Sequence, residues 1–358
     1  MKRNSSRGGI SGLLSILGPG LLYAGAAVGV SHLVQSTRAG AGFGFSLLWV
    51  VLLANMIKYP FFEAGPRYAT ATGESLIEGY RRQGWLPPVI FVLFTLGTMF
   101  VIQAAVTIVT AGLAAYTLDS LGISSLEVGG FDFGRILWGK SLNAEGEWVI
   151  SSWKLSARLL LVCGAVLAIG RYKLLDKIMK VIILILSMTT VLALAFAILG
   201  GRPEQVVPTH GFDWGDSAAI IAVIIPLVGW MPAPIDIAIW HSVWSLEKQK
   251  VDGKKTGLAA SLLDFRIGYW GTAILAVMFV ALGALIIHGA GQPIAASAGA
   301  FSKQLIEMYA SALGPWAKPL IAVAALTTMF STTLTCLDAF PRVLKRATEL
   351  FVPDNPRM

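Results

Sequence analysis

At 358 residues, with 55% of them hydrophobic and 13% charged, the chain has too few charges to cover the two soluble domains its length would suggest. The composition predicts an integral membrane protein, with the lipid bilayer as its surroundings. A net charge of +8 does not point to nucleic acid, because the basic residues lie in short clusters between apolar runs, as in cytoplasmic loops.

Crossing a bilayer takes about 20 mostly apolar residues. Eight candidate runs follow one another: residues 10–34, 45–68, 86–116, 155–169, 174–199, 217–240, 262–287 and 316–337. They show no strand-like alternation, so an all-α membrane protein is expected. The first run follows Lys2, Arg3 and Arg7 but is too long for a signal peptide and reads as retained. Residues 1–9 then form an N-terminal tail, 10–346 the polytopic domain, and 347–358 a C-terminal tail. Basic residues such as Arg171, Lys173, Lys177, Lys254, Lys255, Lys345 and Arg346 concentrate on the side shared with the N-terminus. The positive-inside rule therefore places both termini in the cytoplasm and the protein in the plasma (inner) membrane. The longest connection, 119–154, falls outside and has the composition for a short surface helix. Residues 297–313 read as an amphipathic outer helix, with Phe301, Leu305, Met308 and Ala312 at helical spacing. Cys163 and Cys336 lie within apolar runs and read as buried thiols, with no disulfide or zinc site.

Two runs are interrupted. The first carries Gly18-Pro19-Gly20 and then Gly25-Ala26-Ala27-Val28-Gly29-Val30-Ser31-His32. The sixth carries Pro226, Gly229, Pro232 and Pro234 within nine residues. Each proline removes a backbone donor, and in lipid such breaks persist only where they face protein or a water-filled cavity. Broken helices in corresponding positions of two halves point to the binding site of a secondary transporter. Ordinary kinked helices packed through small residues are the plainer alternative.

At these residues the chain resembles the NRAMP family of proton-coupled divalent metal transporters. The match runs from Gly18-Pro19-Gly20 through Arg38-Ala39-Gly40-Ala41-Gly42-Phe43-Gly44, Leu48-Trp49 to Asn55, and Ala71-Thr72-Gly73-Glu74. It resumes at Met231-Pro232, Trp240-His241-Ser242, Leu263-Asp264 and Ser331-Thr332-Thr333-Leu334-Thr335. The resemblance implies a LeuT-like inverted-repeat fold with broken first and sixth helices. It also implies symport of a divalent transition-metal cation, iron- or manganese-like, with protons. The metal-binding Asp and Asn of the family's first helix fall on Gly29 and His32 here. Met231 matches the family's methionine ligand and the Val228 carbonyl its backbone ligand, while Ala233 stands where the family has histidine. The resemblance thus implies substrate binding by Gly29, His32, Val228 and Met231, and Asp236, five residues beyond Met231, is added to the set as a nearby carboxylate. Imidazole and thioether suit transition metals, so His32 and Met231 are the candidate metal ligands. Asp236 would return the missing negative charge as the third candidate metal ligand.

Ionisable groups within apolar runs are functional candidates by default. His32 changes protonation near neutral pH. Its plainer role is a structural hydrogen bond. Lys58, central in the second run, reads as a fixed positive charge replacing a coupling cation, as a proton carrier, or as an ion-pair partner of Glu63 or Asp338. Lys58 and Glu63 form the candidate proton or charge relay. Glu63 with Arg67, and Asp338 with Arg342, have the four-residue spacing of ion pairs. Asp264 and Arg266 are expected at the membrane interface.

Enzyme motifs are missing, among them His-Glu-x-x-His, Gly-x-Ser-x-Gly and the phosphate loop, so neither catalysis nor a cofactor is expected. A non-metal solute transporter and a non-transporting scaffold or sensor remain the rival readings. About eight spans fall short of the ten of a five-plus-five fold. That leaves open a truncated product, a partner chain supplying the rest, or a scaffold that has lost transport, and the missing helices would expose apolar surface that favours a homo-oligomer.

Overall fold

In lipid every backbone amide and carbonyl has to find a partner within the protein, so long apolar runs fold as helices. The computed structural model describes residues 16–125, 127–128, 131–142, 148–199, 217–288, 295 and 298–351. The N-terminal tail, the start of the first run and residues 352–358 lie outside the described residues.

The first run is α1 (Pro19–Ala27), a π-helical turn Val30–Ser36, and α2 (Thr37–Phe43). Then come α3 (Leu48–Thr72), the short α4 (Leu76–Arg82) and α5 (Leu86–Ser120). The long connection holds two small antiparallel pairs, β1 (Glu127–Val128) with β2 (Phe131–Asp132), and, after α6 (Phe133–Leu137), β3 (Lys140–Leu142) with β4 (Trp148–Ile150). The short helix expected there is α6, capped by the Asp132 carboxylate on the Gly134 amide at 2.8 Å. The strand pairs were not expected, because two or three residues carry no readable alternation.

The next helix, α7 (Ser152–Leu199), covers the fourth and fifth runs without a loop. A Cβ on Gly170 would fall onto the Leu174 side chain. In a straight helix such positions stand about 5–6 Å apart, so the backbone bends there. The sixth run is α8 (Ser217–Trp230) and α9 (Ile237–Asp252), separated by Met231–Asp236. It is followed by α10 (Leu258–Leu282), which continues as a π turn Gly283–Ile287, then α11 (Ala298–Leu313) and α12 (Lys318–Phe351). Phe301 and Leu305 of α11 are buried, as an amphipathic helix requires. The side chains of Met308 and Ala312 lie outside the described ones.

Five segments among the described residues are long and apolar enough to cross a membrane: Leu86–Ser120, Ser152–Gly170, Tyr172–Leu199, Leu258–Ile287 and Lys318–Phe351. The outward faces are apolar, with Leu93, Phe94, Phe100, Leu161 and Ile169 more than 60% exposed. That suits a surface solvated by lipid.

The core forms where α1, α3, α9 and α10 meet. Tyr23, Phe62, Phe265 and Tyr269 pack ring against ring there, with centroids 5.3–6.0 Å apart. Residue size decides how close α1 and α10 come. A Cβ on Gly20 would strike the Asp264 carbonyl, and one on Gly268 the Gly20 carbonyl, so both crossing positions require glycine. The Asp264 carboxylate of α10 accepts the Gly18 amide at 3.0 Å and the Gly20 amide at 2.8 Å. Asp264 is therefore buried rather than interfacial: the first turn of α1 has orphan donors and no side-chain cap of its own.

At the end that holds the basic clusters, polar side chains join α4, α9 and α12. Trp244 Nε1 and Arg342 Nε both donate to Asp338 Oδ2, at 3.0 and 2.8 Å. Arg346 reaches Glu78 at 2.6 Å.

Candidate functional site

Both interruptions expected from the sequence are present, and each leaves backbone groups without helical partners. In the first, Val28 and Gly29 depart from helical geometry between α1 and the π turn. The Thr332 hydroxyl of α12 lies 3.0 Å from the Gly25 carbonyl and 3.2 Å from that of Val28. Gly29 is seated against the same threonine: a Cβ would come within 2.6 Å of Thr332 Oγ1. Hydroxyls from α12 thus close the first break.

His32 is fully buried one turn further on. Its Nε2 lies 2.9 Å from the Thr272 carbonyl of α10, so Nε2 carries a hydrogen and donates. Nδ1 lies 2.7 Å from Ser31 Oγ and 3.0 Å from the Ala27 carbonyl. A metal ligand has to present a bare ring nitrogen. In this conformation both nitrogens face protein partners, the arrangement of a histidine that ties α1 to α10.

In the second break the prolines decide which carbonyls are free. A helical carbonyl at position i accepts from the amide at i+4. Pro232 has no amide for Val228 and Pro234 none for Trp230. Lys58 of α3 supplies the missing donor: its Nζ lies 2.6 Å from the Val228 carbonyl, 3.0 Å from Gly229 and 3.5 Å from Ala233. This corrects the expected pairing of Lys58 with Glu63 or Asp338. Glu63 instead pairs with Arg67 and lies 3.9 Å from Arg266, and Asp338 pairs with Arg342. Lys58 and Glu63 are five positions apart, about 140° around the helix, and serve different neighbours.

Met231 is fully buried in an apolar cluster with Leu47, Val50, Val51, Leu227, Ala276 and Val280. Asp236, half-buried, stands at the N-terminal end of α9. A cavity of about 10 Å³ lies between the two breaks, lined by Ala27, Ser31, Trp230, Pro234, Thr332 and Cys336 among others. It is at the lower limit for one water molecule. Residues beside both breaks therefore line one small cavity, while His32, Met231 and Asp236 do not line it. Among the described residues no group of three or more His, Cys, Asp and Glu gathers.

One buried polar residue escaped the reading of the sequence beyond its place in a motif. His241 of α9 is fully buried, and its ring stacks on Tyr23 at 5.9 Å. Neither His241 nitrogen has a hydrogen-bond partner among the described residues. The available signal was the position of His241, four residues past the start of α9, on the face that meets α1.

Over residues 20–349 the sequence matches the Natural resistance-associated macrophage protein-like family, Nramp. An uncharacterized protein of Pasteurella multocida is 36% identical over 91% of this chain and 69% of its own length. The divalent metal cation transporter MntH of Deinococcus radiodurans is 22% identical over 91% of this chain and 67% of its own. MntH of Verminephrobacter eiseniae is 32% identical over 34% of this chain and 26% of its own length.

Proposed function

This chain is an integral membrane protein that belongs to the Nramp family, and we propose that it moves a divalent metal cation across the membrane by alternating access. The observation that carries the reading is the pair of broken helices facing one cavity. Unwound backbone at membrane depth is tolerated where it is buried in protein or lines a cavity, and paired breaks of this kind hold the substrate of secondary transporters. The relatives named as divalent metal cation transporters support the cargo class. The finer reading is a LeuT-type inverted repeat with cytoplasmic termini and proton-coupled uptake of a manganese- or iron-like ion.

The proposed cargo site is the facing edges of the breaks, with Gly29 and His32 on one side and Val228, Met231 and Asp236 on the other. In the conformation described, two of its groups already have partners. His32 Nε2 is held by Thr272 and the Val228 carbonyl by Lys58. Loading therefore requires His32 to turn from Thr272 and Lys58 to yield Val228.

Uptake of manganese or iron by proteoliposomes, faster when the outside is acidic, is the expected result. No uptake of any ion from a panel of divalent metals would sink the cargo class. A second reading, transport of a small organic cation, draws on one observation: the carbonyls of the second break already hold an ammonium group. Competition of alkylammonium ions against the metal panel separates the two.

A further inference from the structure

The three carbonyls around Lys58 Nζ have the form of an ion site. Val228, Gly229 and Ala233 all belong to the unwound segment or to the helical turn just before it. Their oxygens converge on one nitrogen at 2.6, 3.0 and 3.5 Å. An ammonium has three hydrogens and no acceptor, so three carbonyls satisfy it in full. The negative end of the α8 dipole points at the same place. Among the described residues no carboxylate lies within ion-pair distance of Lys58, so the backbone alone answers the charge. Around Lys58, the α3 side chains of Leu53, Met56, Ile57 and Phe61 are exposed and apolar.

We propose that the carbonyls of Val228, Gly229 and Ala233 form a monovalent-cation site that the chain fills with its own Lys58. The side chain acts as a tethered ion: it holds the unwound segment against α3 and makes the integrity of the break independent of any dissolved ion. The ligand class of the emptied site is a primary ammonium or a small alkali cation. This inference does not depend on the cargo, since its readout is thermal stability rather than uptake.

The test deletes the tether and returns its head group as a free ion. Lys58→Ala removes three carbons and the nitrogen, so n-propylammonium is the matching probe. Purified Lys58→Ala protein is expected to unfold on the order of 5 °C below the wild type. Propylammonium at millimolar concentration is expected to restore most of that difference in a saturable way, and to leave the wild type unchanged. Propanol, which fills the volume without charge, and tetramethylammonium, which has no N–H donor, are expected to do nothing. Sodium and potassium report whether the emptied site also takes an alkali ion. Equal responses of variant and wild type to propylammonium, or equal rescue by propanol, would overturn the proposal. Lys58→Met keeps the length and loses the charge. It is expected to be as unstable as the alanine variant and to resist rescue, and a methionine variant as stable as the wild type would also overturn it. Should neither variant accumulate, 15N-lysine spectra of the wild type decide. One ammonium whose protons exchange slowly with water is expected, and its absence counts against the site.

Discussion

Asp264 Oδ2 accepts a hydrogen bond from the Gly20 amide at 2.8 Å, so a carboxylate on α10 caps a helix 244 residues earlier in the chain. Two amides, those of Gly18 and Gly20, depend on this one group. Asp264→Ala leaves both unpaired in a buried place and should cost about 1–3 kcal/mol per orphaned donor. Asp264→Asn keeps an acceptor and should lose less. Thermal unfolding in detergent, monitored by circular dichroism, checks the order wild type, asparagine, alanine.

The close crossing of α1 and α10 makes a sharper demand. Gly268→Ala places a methyl on the Gly20 backbone and should destabilise by about 1–3 kcal/mol, the usual cost of overpacking. Gly271, three residues along the same helix, has nothing within 4 Å of where an added methyl would sit. Gly271→Ala should therefore be neutral or slightly stabilising, since alanine is the better helix former. A common response of the two variants would mean that the crossing is looser than described.

His32 joins α1 to α10 through Thr272, and the same residue stands in the proposed cargo site. His32→Ala should lower stability by about 2 kcal/mol through the lost bonds and the space left behind. It should also weaken metal uptake in proteoliposomes. Uptake unchanged in both His32→Ala and Met231→Ala proteins rules out the site as placed here.

Around Asp338 the bonds converge on a single oxygen. Trp244 and Arg342 donate to it, and Arg342 also lies 3.6 Å from Glu247. Residues that share a partner do not lose stability additively. Asp338→Asn with Arg342→Gln should therefore show a coupling of about 1–2 kcal/mol in a double-mutant cycle. The pair Arg342→Gln and Lys180→Gln, with no partner in common, should add.

Much of the architecture was legible because lipid leaves the backbone few options. Among the described residues each apolar run became helix apart from its break, and the prolines of residues 226–234 marked the second break where it stands. The pairs Glu63–Arg67 and Asp338–Arg342 followed from helical spacing alone. What could not be read depends on which helices meet. Nothing near Lys58 in sequence announces Val228, 170 positions away, nor does the neighbourhood of His32 announce Thr272. The fourth and fifth runs, 155–169 and 174–199, were read as separate spans with Arg171 and Lys173 between them. The backbone stays helical through both, and the chain bends at Gly170. The candidate site was thus legible as two breaks and a set of residue types, while its hydrogen-bond partners required the packing.

Thr332 has one hydroxyl hydrogen and three carbonyls within reach, those of Gly25, Val28 and Thr328, at 3.0, 3.2 and 3.4 Å. The Gly25 and Val28 carbonyls belong to the first run and that of Thr328 to α12 itself, so a single hydroxyl answers acceptors on both sides of the contact. One side chain thus serves as a clasp between the broken first run and the continuous helix beside it.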